Sequence, residues 1–282
     1  MSDGPSRISM VANVARLLFW SLLIIMLLSQ WIGTASLEKK RSAVIEEIQK
    51  TRGSRVITLI HREETVNLFG MAVTKYIDID DAEAVLRAIR LTPAQKPIDL
   101  IIHTPGGLVL AASQIAHALR GHQGKITVFI PHYAMSGGTL IALAADEIVM
   151  DPNAVLGPVD PQIGNLPAAS IIKTVEVKKP ENVDDKTLIL ADMSAKAINQ
   201  VTSLVTKLLE KHLPKEKAEE VAILISTGQF THDFPITLER AKFVGLPVST
   251  DMPRSIYSLM DFYPQKGVGR PSVTYVPLPK SS

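Results

Sequence analysis

The sequence predicts an α/β fold with a mainly parallel sheet covered by helices on both faces, and three observations carry that expectation. Short Val- and Ile-rich runs recur: RVITLIH (55–61), IDLIIHT (98–104), KITVFIP (125–131) and DEIVMDP (146–152). They are apolar throughout instead of alternating, as strands buried on two faces are. Between them lie segments of helical character: DIDDAEAVLRAIRL (78–91), with Ala84, Leu86, Ile89 and Leu91 as its apolar positions, LVLAASQIAHALRG (108–121), ending at Gly121, and TLIALAA (139–145). Strand and helix therefore alternate, which is the signature of βα units. Third, the strand ends run into small-residue turns, PGG at 105–107 and SGG at 136–138.

The 282 residues, 46% hydrophobic and 21% charged, suffice for one sizeable core with appendages. Thirty basic and 28 acidic residues are interspersed and leave a net charge of +2, so no face is set apart for nucleic acid. Cysteine is absent, which excludes disulfides, thiolate metal sites and a cysteine nucleophile.

Near the start, LLFWSLLIIMLLSQWIG (17–33) carries no charge, and Trp20 and Trp31 stand near its ends. A membrane-spanning helix needs about 17–25 such residues, with aromatic rings favoured at the interfaces. GTAS (33–36) has the small residues of a signal-peptide cleavage site, but the apolar run exceeds the usual core of about 7–15 residues, so the expectation is an uncleaved anchor. Lys39, Lys40, Arg41, Lys50, Arg52 and Arg55 follow the span and only Arg7 and Arg16 precede it, which places the body on the cytoplasmic side. The expected organisation is an anchor (1–35), a juxtamembrane helix (36–54) stopping at Gly53, a catalytic body (55–262) and a proline-rich irregular tail (263–282). Within the body, residues 187–213 predict a long amphipathic helix with Leu190, Met193, Ala197, Val201, Leu204 and Leu208 on one face. ASIIKTVEVKK (169–179) alternates well enough for an extended arm, and KHLPKEKAEE (211–220) reads as a solvated helical connection.

HTPGG (103–107) and AMSGG (134–138) lie one βα unit apart at the carboxyl ends of strands, where ligand sites of open α/β sheets are found. Gly106 and Gly107 leave backbone N–H groups uncovered, and Ser136 stands at the head of a helix. Two readings of Ser136 stay open: a nucleophile, which needs exposure, an oxyanion hole and a base, or the N-cap of a helix over 137–145. It is not the GxSxG elbow, because Ala134 and Met135 precede it.

The succession of HTPGGLVLAASQIAHAL, YAMSGGTLIALAADEIVMDPNAVLGPVDPQIG and TGQFTHDFPITLERAKFVGLPV resembles the Clp-fold serine peptidases. The likeness covers about residues 55–250 and is nearest the signal peptide peptidase A group and the serine dehydrogenase proteinases. It implies a ClpP/crotonase-like spiral of ββα units, here with an N-terminal transmembrane helix, peptide hydrolysis through an acyl-enzyme, and ring-like homo-oligomers, with no cofactor or metal. Ser136 matches the nucleophile, and Gly107 or Gly106 together with Gly137 match the oxyanion donors. Where the ClpP branch has its histidine, GPVDPQIG offers only Asp160. The signal-peptide-peptidase branch uses a lysine at the entrance of a long helix, which makes Lys186 the first candidate and Lys196 the second, with Lys178 and Lys179 near the early limit. Such a lysine must be held neutral by burial. His232 with Asp233 is the other candidate base, and His103 is expected to fix the PGG turn by hydrogen bonding. The remaining histidines have no metal-site spacing.

The expectation is thus a membrane-anchored serine endopeptidase with a Ser-Lys dyad that cleaves apolar segments of membrane proteins or signal peptides, with SIIKTVEV available to pair with a substrate strand. The alternatives are a degenerate scaffold that lost its base and a crotonase-like acyl-CoA enzyme; the absence of any acidic residue over 103–117 counts against the latter.

Overall fold

The structure, a computed structural model, describes residues 7–61 and 75–263, and of residues 7–12 and 28–34 only the helical backbone. The chain divides into two compact units, Met1–Glu47 and Ile48–Ser282. The expected tail lies, from residue 264 on, outside the described residues.

Helix α1 (Arg7–Arg52) is unbroken. The expected division between an anchor and a separate juxtamembrane helix is therefore absent: Leu37, Glu38, Lys39 and Lys40 are strong helix formers that continue the turn begun upstream. It ends where expected, at Gly53, whose φ of +66° only glycine adopts without strain. From Leu17 to Leu27 its apolar side chains are exposed, Leu17 at 68% and Ile25 at 62%. Among the described residues no helix is long and apolar enough to cross a membrane. The expected span 17–33 falls only as far as residue 27 within the side chains described.

In the second unit, β1 (Arg55–Ile60) is followed by α2 (Ile79–Arg90), whose first turn is closed by a capping box. Asp78 accepts from Asp81 N at 2.9 Å and Asp81 from Asp78 N at 3.1 Å. α2 turns Ala82, Val85 and Ile89 inward, so of the expected apolar positions Ala84 and Leu91 lie outside, Leu91 at 74% exposure. Then come β2 (Ile98–His103), α3 (Val109–Gly121), β3 (Ile126–Ile130), β4 (Tyr133–Ala134), α4 (Gly137–Ala142), β5 (Glu147–Met150) and β6 (Val155–Leu156). A hairpin of β7 (Gln162–Ile163) and β8 (Leu166–Pro167) leads into α5 (Ala168–Val177), α6 (Asp185–Leu209) and α7 (Lys215–Ser226). The chain closes through β9 (Ile236–Thr237), α8 (Leu238–Phe243), β10 (Val248–Ser249) and α9 (Arg254–Asp261).

The main sheet has the order β1-β2-β3-β5-β10 and every pair in it is parallel. β2 and β3 are buried at every residue, which is why their sequences do not alternate. A smaller sheet, β4-β6-β9, pairs β4 with β6 parallel and β6 with β9 antiparallel.

The second half departs from the sequence expectation in two places. SIIKTVEV is the helix α5, not an extended arm, so it offers no strand edge to a substrate. Ala168 and Ile171 are buried and Ile172 and Val175 half-buried, spaced i, i+3, i+4 and i+7, and this 3.6-residue period overrides the partial alternation. α6 stops at Leu209, and its buried stripe is Ser194, Val201, Val205, Leu208 and Leu209, leaving Met193 at 47% exposure. Residues 211–220 are solvated as expected except at Ala218, and α7 runs on past them to bury Val221, Ala222 and Ile225.

Candidate active site

Parallel β-structure brings the two glycine turns together. Thr104 N donates to Tyr133 O at 3.2 Å and Met135 N to Thr104 O at 3.0 Å, so the PGG turn runs beside the residues that lead to Ser136. On the other side Ile77 N donates to Gly106 O at 2.7 Å and Leu108 N to Ile77 O at 2.8 Å. In such a parallel bridge Ile77 makes both bonds, and the N–H of Gly107 points the opposite way. The glycines are required by contact: a Cβ on Gly107 would lie 2.2 Å from Ile77 O, and one on Gly106 would lie 2.7 Å from Ser136 Cβ. Gly106 also has a φ of +108°.

Ser136 has φ 49° and ψ −116°, and among the described residues it is the only one other than glycine with a positive φ. A serine held there is strained by about 1–3 kcal/mol, and such residues concentrate at functional sites. The turn is over-determined by its neighbours: Gly138 N donates to Met135 O at 2.7 Å and Leu140 N to Ser136 O at 3.0 Å. Thr139, buried behind it, lies 2.7 Å from Ala134 O and 2.9 Å from Gly157 O, and accepts from Gly157 N at 3.0 Å. Ser136 occupies the N-cap position of α4, but its side chain makes no capping hydrogen bond. Its hydroxyl is therefore not used by the helix. Although the sequence lacks GxSxG, the serine has the strained strand-to-helix conformation of a nucleophile elbow. α4 itself spans only Gly137–Ala142 and is buried throughout.

Gly137 N, the first of the helix, has no intrahelical acceptor. A Cβ built on Gly137 would lie 3.5 Å from Gly107 N, so the two N–H groups are neighbours in front of Ser136. Gly107, Ser136 and Gly137 line a cavity of about 60 Å³ together with Val109, Leu140, Val159 and Val201, and with Asp160 and Gln162.

The polar part of that lining is a cluster the sequence analysis did not assemble. Asp160, 5% exposed at its side chain, lies with Oδ1 2.8 Å from His232 Nδ1, and its Oδ2 accepts from Gln162 Nε2 at 2.7 Å. The hydrogen bond to Asp160 raises the His232 pKa against the opposing effect of burial, and Asp160 and Asp233 add their charge in the same direction. The juxtaposition follows from strand register: Leu156 pairs with Ile236 in the antiparallel β6–β9 ladder, and Asp160 lies four residues beyond the one as His232 lies four before the other. Asp233, the expected partner of His232, is exposed.

One chain does not bring either expected lysine to Ser136. Lys186 is exposed in the first turn of α6. Helix rise puts it about 22 Å along the axis from Val201, the α6 residue that lines the cavity. Lys196 is 68% exposed and paired with Asp192 at 2.5 Å. Neither has the burial that keeps an amine neutral. Lys178 and Lys179 are exposed too.

His103 is buried with its ring 4.3 Å from that of Tyr133. The side chain hydrogen-bonded to the PGG turn is Thr104, whose Oγ1 accepts from Gly106 N at 3.2 Å and lies 2.8 Å from His61 Nδ1. His61 Nε2 lies 3.1 Å from Asp81 Oδ2, and burial lowers the His61 pKa in spite of that carboxylate.

With this geometry in place, sequence comparison decides the family. The family described as ClpP-like SDH-type serine proteinase matches residues 6–282. The chain belongs to the ClpP-like SDH-type serine proteinases. It is a serine peptidase. Two similar relatives come from Methanocaldococcus jannaschii: uncharacterized protein MJ0137, 52% identical over 94% of this chain and 93% of that protein, and uncharacterized protein MJ1495, 55% identical over 86% and 82%. Solved structures with a likeness include a mutant of the 1510-N membrane-bound stomatin-specific protease, with TM-score 0.43 and 18% identity over 66% of this chain and 79% of that one. ClpP1 from Listeria monocytogenes has TM-score 0.46 and 16% identity over 72% and 96%. In this proteinase the strained serine follows β4 of the smaller sheet, beside the end of β2 in the parallel main sheet.

Proposed function

We propose that this proteinase is an endopeptidase that hydrolyses peptide bonds through an acyl-enzyme on Ser136, with Gly107 N and Gly137 N as the oxyanion donors. The observation that carries the reading is the strained Ser136 beside two backbone N–H groups at the mouth of one cavity. Oγ adds to the carbonyl carbon, the carbonyl oxygen becomes an anion between the two N–H groups, and the amine leaves with a proton. Water then hydrolyses the ester. Each preorganised donor of this kind contributes about 10²–10³-fold in rate. Gly106 acts differently, by allowing the PGG turn to approach Ser136.

Val109, Leu140, Val159 and Val201 give the cavity apolar walls, which supports apolar segments of membrane proteins or signal peptides as substrates. We further propose that the first part of α1 anchors the proteinase to a membrane with the body on the cytoplasmic side. The exposed Leu17, Leu18, Phe19, Trp20, Leu22 and Ile24 support this, as does the excess of Lys and Arg after the apolar run. The proteinase is also proposed to act as a homo-oligomer, in keeping with the exposed Leu188, Ile189 and Met193 on α6.

A quenched apolar peptide incubated with the purified protein in detergent tests the reading. Cleavage by the wild type, lost in Ser136→Ala with unchanged circular dichroism, is expected. Equal cleavage by the variant would remove Ser136 from the mechanism. Deletion of residues 1–35 is expected to move the protein from the membrane pellet to the soluble fraction, and retention in the pellet would overturn the anchor.

A further inference from the structure

The nucleophile needs a proton acceptor, and the lysines expected from the sequence are not at the cavity of the single chain. We infer that His232 accepts the Ser136 proton at Nε2, with Asp160 as the residue that positions its ring. This rests on the peptidase reading of Ser136 and supplies the base that reading lacks.

The argument is one of valence. Asp160 is the acidic side chain in the lining of the Ser136 cavity, yet both of its oxygens are engaged: Oδ1 with His232 Nδ1 at 2.8 Å and Oδ2 with Gln162 Nε2 at 2.7 Å. A carboxylate so occupied is a good anchor for an imidazole. Its bond to Nδ1 fixes the proton there and leaves the lone pair on Nε2, the tautomer a general base requires. Among the described residues His232 Nε2 makes no hydrogen bond. The side chain is 36% exposed, so the ring is not sealed from solvent.

The segment carrying His232 is held in place. Phe230 and Phe234 stack at 4.3 Å on either side of it in sequence, and the Arg240 guanidinium sits 4.9 Å from the Phe234 ring. Phe234 N donates to Thr231 O at 2.9 Å, and the chain then enters β9, paired to β6. Asp160 is fixed from the other direction, where Val159 N donates to Ile225 O at 2.7 Å. The inferred relay runs serine, imidazole, carboxylate, with the acid drawn from the loop after β6 and the histidine from the loop before β9. In the reaction the Oγ–H proton passes to Nε2 as the Oγ–C bond forms. The imidazolium returns it to the departing amine as the C–N bond breaks, and the same nitrogen accepts a proton from the water that releases the acyl group. Hydrogen bonds of this kind commonly close only when substrate is bound.

The charged groups that act on His232 are Asp160, from the loop packed against it, and Asp233 on its own segment; both favour the protonated ring. The base is therefore free only above a midpoint higher than the ordinary value of 6.5.

The test is the rate at which a fluorophosphonate labels the full-length protein in detergent as a function of pH. Wild type is expected to gain reactivity through a midpoint above 6.5. His232→Gln is expected to lower the rate at pH 8 by about 10²-fold or more and to abolish that midpoint. Asp160→Asn, nearly isosteric, should fold normally, slow labelling by about tenfold and move the midpoint downward. Lys186→Ala and Lys196→Ala should match the wild type. A His232→Gln protein labelled at the wild-type rate with the wild-type profile would overturn the inference while leaving Ser136 as nucleophile. A lysine variant that abolishes labelling would overturn it in favour of the amine. Wild type that no fluorophosphonate labels would overturn the peptidase reading and this inference together.

Discussion

The two walls of the Ser136 cavity are built by different means. One is backbone: Gly107, Ser136 and Gly137, set by a parallel bridge between Thr104 and Ala134 and another between Ile77 and Gly107. The other is side chain: Asp160 and Gln162, with His232 bonded to Asp160 behind them, brought together where β6 meets β9 in a three-stranded sheet of two-residue strands. The first wall leaves no room at Gly107, where a methyl group would lie 2.2 Å from Ile77 O. The second is partly open to water and its chemistry follows pH. An enzyme gains from this division. The oxyanion site must be rigid before the charge develops, whereas the proton acceptor must change its protonation twice in each cycle.

Substitutions in the two walls should accordingly differ in kind. Ser136→Ala, which removes the reacting atom and relieves no contact, is expected to lower turnover by about 10⁴-fold or more, read as cleavage of an apolar peptide. Gly107→Ala should fail at an earlier stage, by displacing Ile77: a loss of about 3 kcal/mol or more, read from the denaturant midpoint. Gly137→Ala separates the two properties, because its Cβ would meet only Ala112 Cβ at 3.0 Å and lie 3.5 Å from Gly107 N. It should fold and lose about 10–10²-fold in turnover by crowding the oxyanion. If it instead unfolded the protein, the distinction between clashing and crowding positions in the backbone wall would be lost.

The smallest effects are expected in the pH dependence of stability, where the histidines on the two sides act with opposite sign. His232 has a raised pKa in the folded state, so its contribution is fully present below the unfolded value of about 6.5. It disappears as the pH rises through the folded value. His61, beneath the PGG turn, has a lowered pKa, so the unfolded chain takes up the proton first and stability falls as the pH drops below about 6.5. Melting temperature against pH should therefore lose its alkaline decline in His232→Gln and part of its acid decline in His61→Gln. Like-signed changes in the two variants would contradict the assignment.

The same contrast explains what was legible in the sequence. The backbone wall was, because glycine is a direct statement about space: PGG and SGG, one βα unit apart at strand ends, allowed Ser136, Gly107 and Gly137 to be named together before any coordinates. So was the sheet, whose buried strands could not alternate. The side-chain wall was not legible, because Asp160 meets His232 only through the pairing of Leu156 with Ile236, and two-residue strands leave no periodic trace. His232 was instead matched to its neighbour Asp233, which points to solvent. The lysines were expected from resemblance plus a requirement for burial, and the buried stripe of α6 starts only at Ser194 and excludes Lys196. α5 is illegible because Ile171, Val175 and Val177 lie four and two residues apart, even spacings that fit a period of two and, at the step of four, a period of 3.6 as well.

The claim on which all of this depends is that Ser136 is a nucleophile facing two backbone donors. Mass spectrometric mapping of a fluorophosphonate adduct on the intact protein tests it most directly. A single phosphonyl group on the peptide containing Ser136, absent from Ser136→Ala and strongly diminished in Gly137→Ala, is the predicted result. An adduct on another residue, or one that persists in Ser136→Ala, would contradict it.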